Sequence, residues 1–281
     1  MSTFNLSILG LQTGRSFNNA TAITNQALRR LSTGLRINRG ADDPAGLISS
    51  ERLKAELRTL EAETRIAQRT DSVAATADAA LSTVNDQLGR AQEIAVTASN
   101  SFVTSEERAA LQSELDSISQ SVNRTLQNAE FNGQKLFNGE VTLSVGGGSL
   151  SLDQLSSSNL GETTINAEEL ALSDVESAGA LALSSGRGED LQTVIGAAID
   201  EISTVRGQIG NFQRNIVRPE IARTQTAFEN VSAANSIIAD ADFARETSVL
   251  TRGQILRTSS ATLFGGEQRS ASNAFSLLFG G

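Results

Sequence analysis

Apolar positions recur at every third or fourth residue along most of this chain. Phe17, Ala20, Thr24, Leu28, Leu31 and Leu35 lie on one stripe of a helix. That helix is expected to stop near Asn38 to Gly40, where INRG tolerates left-handed backbone. Asp43 then reads as an N-cap and Pro44 as the first residue of a second helix. The second stripe runs through Leu57, Leu60, Thr64 and Ala67. After one irregular turn near Asp71 it continues through Ala74, Ala77, Leu81, Val84, Leu88, Ala91, Ala95 and Ala98. Alternating steps of three and four over several heptads make a coiled-coil seam, and a helix from 44 to 99 would be roughly 80 Å long.

Thr104 and Glu107 form a capping-box pattern before a third stripe, Leu111, Leu115, Ile118, Val122, Leu126 and Ala129. Here the period changes. Val141, Leu143 and Val145 alternate between Asn-Gly pairs and a Gly146–Gly148 run, which predicts hairpins. Residues 149 to 190 show no sustained period and read as a small outward excursion or a flexible connection. Helical spacing resumes with Ile202, Val205, Ile209, Phe212 and Ile216. It continues with Val217, Ile221, Thr224, Phe228, Val231, Asn235 and Ile238, and Pro219 is expected to kink or restart that helix.

The expected fold is therefore mainly α: a long antiparallel helical bundle or coiled coil formed by both chain ends, with a small β-hairpin-containing middle region. Five segments follow. Residues 1–42 form an N-terminal helix, 43–130 and 190–239 the two parts of the bundle, 131–189 a β-rich, acidic outer segment, and 240–281 a C-terminal helix.

Composition narrows the chemistry. The 281 residues include neither cysteine nor histidine, which removes disulfides, thiol nucleophiles, imidazole bases and the usual zinc sites. No catalytic residue, cofactor site or metal site is expected. Asp240, Asp242 and Glu246 alternate like the start of a calcium loop, but Arg245 and Thr251 occupy the places where that loop needs glycine and a bidentate glutamate. A solvated or Arg-paired helix face is the better reading. LSVGGGSLSL lacks the ending of a phosphate-binding loop. No stretch approaches the length of a membrane span, and MSTFNLSILGLQTGRSF lacks the layout of a cleaved secretory signal.

The net charge of −9 is unevenly spread: residues 1 to 41 carry five arginines and no acid, whereas 130 to 190 are strongly acidic. A basic start also suits a transit peptide or a nucleic-acid arm. The chain closes on NAFSLLFGG, an apolar run that water alone would not keep ordered.

Three stretches carry a family resemblance. LSTGLRINRGADDPAGLISSERL (Leu31 to Leu53) is similar to the N-terminal signature of the bacterial flagellins. IADADFARETSVLTRGQIL (Ile238 to Leu256) followed by SNAFSLLFGG resembles their C-terminal signature, and EFNGQKLFNG their exit from the inner helices. The resemblance implies a structural, non-enzymatic subunit of the flagellar filament, a homopolymer used for motility. It implies export through the type III apparatus with an export chaperone, contacts with the junction and cap proteins, an extracellular location, and no nucleic-acid or membrane partner. The nearest alternative is the hook-filament junction protein, which shares GLRINRGADDPAG.

In the family, paired terminal helices build an inner tube. This assigns Phe4, Leu6, Ile8, Leu9, Leu11, Phe275, Leu277, Leu278 and Phe279 to a filament-core interface. The short middle implies a smooth, thin filament. QLGRAQEIAVTA (Gln87 to Ala98) is similar to the patch gripped by the flagellin-sensing Toll-like receptor, with Arg90 and Glu93 as contacts. Ile94 and Thr97 stand where recognised flagellins usually carry Leu and Gln.

Overall fold

The computed structural model describes the backbone of residues 2–279. The side chains of residues 1–10, 264, 267, 268 and 270–281 lie outside the described residues. The chain is mainly α-helical and divides into two compact units, residues 1–59 with 227–281 and residues 60–226.

In the first unit, helix α1 (Ser2–Thr33) packs along α6 (Phe243–Phe279), joined by the start of α2 (Pro44–Ala98) and the end of α5 (Arg218–Ala239). α1 ends earlier than its sequence suggested. Gly34 takes φ 71° and its amide bonds the Arg30 carbonyl at 2.8 Å, so the left-handed glycine closes the helix before INRG is reached. The stripe is also shifted. Ala20, Thr24 and Ala27 are buried against α6, while Phe17 and Leu28 face outward. Small side chains win the contact because they let two backbones approach. Asp43 caps α2 as expected, accepting the Gly46 amide at 2.9 Å.

The second unit is built on the seam of α2, where Leu81, Val84, Leu88, Ala91 and Ala95 are fully or almost fully buried. They share one core with Leu115, Val122 and Leu126 of α3 (Ser105–Asn128) and with Leu191, Ile195, Ile202 and Ile209 of α4 (Gly188–Phe212). The polar margin of the seam is paired as well: Arg206 bonds Asp78 at 2.9 Å and Gln213 bonds Asp71 at 3.0 Å. No irregular turn interrupts α2 near Asp71, because Asp71 stays in helical register and takes Gln213 as partner. The capping box at the start of α3 is closed on both sides, with Glu107 N–H on Thr104 Oγ1 at 3.2 Å and Thr104 N–H on Glu107 Oε2 at 2.9 Å.

Three antiparallel hairpins follow: β1 (Glu130–Phe131) with β2 (Gln134–Lys135), β3 (Val141–Val145) with β4 (Gly148–Leu152), and β5 (Thr163–Ile165) with β6 (Glu168–Leu170). Asn132 and Gly133 both take positive φ, the geometry that lets a two-residue turn match strand twist. β3 alternates buried and exposed as its sequence does.

The stretch beyond β4 is not a loose excursion. Leu155, Leu160, Leu170, Leu172, Val175, Leu181 and Leu183 all enter the common core. They do so from short turns and 3-10 segments, so burial has no single period for a sequence reading to find. Gly161, at φ 70°, lies so close to α4 that a Cβ would stand 2.6 Å from the Val194 carbonyl oxygen. Before Pro219 the helix widens over Gln213–Val217, with the Arg218 amide bonding back to the Gln213 carbonyl. The break in period thus precedes the proline rather than following it.

Candidate assembly interface

The two terminal helices lie antiparallel. Arg30 Nη1 meets Glu246 Oε1 at 2.9 Å, and farther along the pair Gly253 faces Thr24, where a Cβ would be 2.7 Å from Thr24 Oγ1. The buried contacts are Ala20, Thr24 and Ala27 from one side and Gly253 and Ser260 from the other. Bulky apolar side chains are turned away from this seam. Leu11 is 62% exposed, and Phe17, Ile23 and Leu28 of α1 and Phe243, Ile255, Leu256 and Leu263 of α6 are also open. Phe243, Ile255 and Leu256 border a shallow groove along α6. Contiguous apolar surface of this kind marks a surface that another molecule covers.

Of the nine residues assigned to a filament core, Leu11 is the one whose side chain is described. Those of Phe4, Leu6, Ile8, Leu9, Phe275, Leu277, Leu278 and Phe279 lie outside the described residues. Arginine dominates the polar surface of the terminal pair. Arg15, Arg29, Arg245, Arg252 and Arg257 are exposed, whereas the acid between them, Glu246, is buried on Arg30. The alternating acids of IADADFARE are accordingly split between roles. Asp242 caps α6 through the Ala244 and Arg245 amides, and Glu246 takes the ion pair. Among the described residues no cluster of His, Cys, Asp or Glu could hold a metal ion.

At the foot of the pair, the two helix breaks are clipped together. The Arg36 amide bonds the Ala239 carbonyl at 2.7 Å, and the Ala241 amide bonds the Gly34 carbonyl at 2.8 Å. The Arg36 guanidinium closes on the end of α5, reaching the Ile238 carbonyl at 2.7 Å from Nη2 and 3.1 Å from Nε. A cation at the C-terminal end of a helix meets both unpaired carbonyls and the negative end of the helix dipole. Arg30 Nε in turn donates to the Arg36 carbonyl at 3.0 Å. The Asn38 and Arg39 amides donate to Asp42, and the Asn38 amide does most to hold the Asp42 carboxyl below the usual carboxylate range. The Gly46 amide does the same for Asp43, aided by Arg36. Sequence spacing showed arginines and acids here but not the carbonyls they serve.

In the second unit, Arg90 and Glu93 are exposed on α2 and bonded to each other at 2.9 Å. Arg90 also bonds Glu114 of α3 at 3.0 Å through Nε and Nη2. Glu93 first and Glu114 next raise the Arg90 pKa above its already high value. Ile94, expected to alter this patch, is 2% exposed and points into the core instead, because the seam takes both 94 and 95. Thr97 is exposed.

Comparison with known proteins bears on the same regions. Residues 4–142 match the bacterial flagellin N-terminal helical region and residues 192–278 the C-terminal helical region. The chain is 32% identical over 244 residues to a flagellin of Halalkalibacterium halodurans, covering 85% of each. It is 28% identical over 277 residues to the flagellar filament 33 kDa core protein of Treponema phagedenis, covering 94% of this chain and 95% of the relative. A solved structure assigned as a flagellar hook-associated protein from Vibrio parahaemolyticus shares the fold, with a TM-score of 0.59 over 70% of this chain and 99% of that one at 13% identity. The matched stretches at both ends include the clipped joint and the described part of the antiparallel pair, and on them the chain belongs to the bacterial flagellin family.

Proposed function

We propose that the chain is a structural subunit that polymerises with copies of itself into the bacterial flagellar filament. The observation that carries this is the outward-facing apolar set on α1 and α6, which a lone chain leaves in water and a helical polymer would cover. Relatives of nearly the same length, named as filament core proteins, support it. The filament-core interface would comprise Leu11 and, beyond the described side chains, Phe4, Leu6, Ile8, Leu9, Phe275, Leu277, Leu278 and Phe279. Residues 1–42 and 240–281 would form the inner tube, 43–130 and 190–239 the surrounding bundle, and 131–189 the outer face.

Ordering two terminal helices costs about 1 to 2 kcal/mol per residue in backbone entropy, against about 1.5 to 3 kcal/mol for each large apolar side chain buried. Assembly and terminal folding are then a single event. The protein performs no catalysis in this reading. It is exported through the type III apparatus with a chaperone, and Arg90 and Glu93 form the contact for a flagellin-sensing receptor.

The test is seeded growth followed by electron microscopy. Full-length protein should elongate filament seeds, and a chain lacking residues 275–281 should keep its bundle melting but fail to elongate. Equal growth of the two would remove the terminal residues from the interface. A full-length chain that caps seeds without elongating them would favour the junction protein.

A further inference from the structure

The contact between α1 and α6 poses a problem of register. Its buried members are alanine, threonine, serine and glycine, and Gly253 admits the Thr24 backbone so closely that a Cβ there would stand 3.4 Å from the Thr24 nitrogen. Small side chains allow close approach, but they present few knobs to oppose sliding of one helix along the other. The large apolar residues that could lock a register face away from the seam. Something polar must specify it, as single buried polar positions do in coiled coils.

Arg30 and Glu246 meet that need. Glu246 is 7% exposed and Arg30 23%, so a shift by one turn would strand a largely buried carboxylate without its partner. Arg30 is itself fixed: its Nε–H is held by the Arg36 carbonyl, and the Arg36 guanidinium is anchored on the Ile238 carbonyl at the end of α5. The chain of contacts runs from the end of α5 through Arg36 and Arg30 to the first turns of α6. We infer that the Arg30–Glu246 pair is the positioning element that sets the register of the terminal helices, and hence of the outward apolar faces through which subunits polymerise.

The inference rests on the polymerisation proposed above and refines it to one residue pair. Full-length wild type, Glu246→Arg, Arg30→Glu and the double variant R30E/E246R are compared for seeded elongation and for melting by circular dichroism. Each single reversal should raise the concentration needed for elongation on the order of a hundredfold, while the main melting transition stays in place. The double variant should recover most of that loss, short of the bond that the Arg30 Nε–H makes to the Arg36 carbonyl. Growth of the single variants at the wild-type level, or no recovery in the double variant, overturns the inference and leaves the proposed function standing. Early melting of the single variants also overturns it, because the pair would then support the whole fold. Wild type that elongates no seed counts against the proposed function itself and removes this inference with it.

Discussion

Gln112 offers a sharp test of how the segment beyond the hairpins is held. This α3 side chain is 9% exposed. Its Nε2 donates to the Val175 carbonyl at 2.9 Å and to Asp116 Oδ1 at 2.7 Å, and its Oε1 accepts the Leu183 amide at 2.6 Å. Asp116 also takes the Ser177 amide at 2.9 Å, and Ser119 bonds Glu176 at 3.0 Å. One face of α3 therefore ties down a loop that has no strand partner of its own. Gln112→Leu keeps the bulk but strips the Leu183 amide and the Val175 carbonyl of this bond. Each buried group left without a partner costs about 1 to 3 kcal/mol, partly offset by the added apolar surface, for a net loss of about 2 to 4 kcal/mol. For a unit of this size that lowers the melting temperature by roughly 4 to 16 °C. Circular dichroism reads the transition, and hydrogen exchange at the Leu183 amide reads the local opening. Unchanged melting together with unchanged exchange would refute the clamp.

Three further expectations concern separate parts of the molecule. Leu88→Ala opens a cavity between α2, α3 and α4 and should cost about 2 to 5 kcal/mol in thermal unfolding; a melting curve that stays put would contradict the packing. Arg90→Ala should abolish whatever response the monomer draws from receptor-reporter cells, since an arginine at an interface centre is worth about 2 kcal/mol or more, and an unaltered response would exclude the site. Asp42 and Asp43 have folded pKa values below the ordinary 3.8. Their stabilising contribution is thus present above that value and lost as pH falls through the lowered folded values. Carboxyl titration followed by NMR should place both midpoints under 3.8, and a midpoint at or above it would contradict the role of the loop amides.

Much of this was legible in the chain. Asp43, Pro44, Thr104 and Glu107 announce helix starts because capping is local chemistry. The α2 seam is legible because burial there obeys one period. What escaped was decided by distant partners. Glycine and alanine, rather than leucine and phenylalanine, face the terminal contact, and no spacing rule distinguishes a stripe meant for a neighbouring helix from one meant for another molecule. Gln112 and Arg36 were silent because their partners are backbone groups of residues far along the sequence. The leucines between 155 and 183 were hidden by their lack of period.

The widened turn at Gln213–Val217 has a consequence for lesions that change chain length. Buried positions step from Ile209 to Phe212 by three, then from Phe212 to Val217 by five, and then from Val217 to Thr224 by seven. The extra residue keeps Val217 and Thr224 on the same side as Phe212. Deleting one residue here would let the turn close to α-helical geometry and rotate everything after it by about 100° relative to α4. The same turn would accept most substitutions that keep its length. A mutational survey of the gene should therefore find this stretch tolerant of missense changes and intolerant of in-frame single-codon deletions, the reverse of what surface loops show.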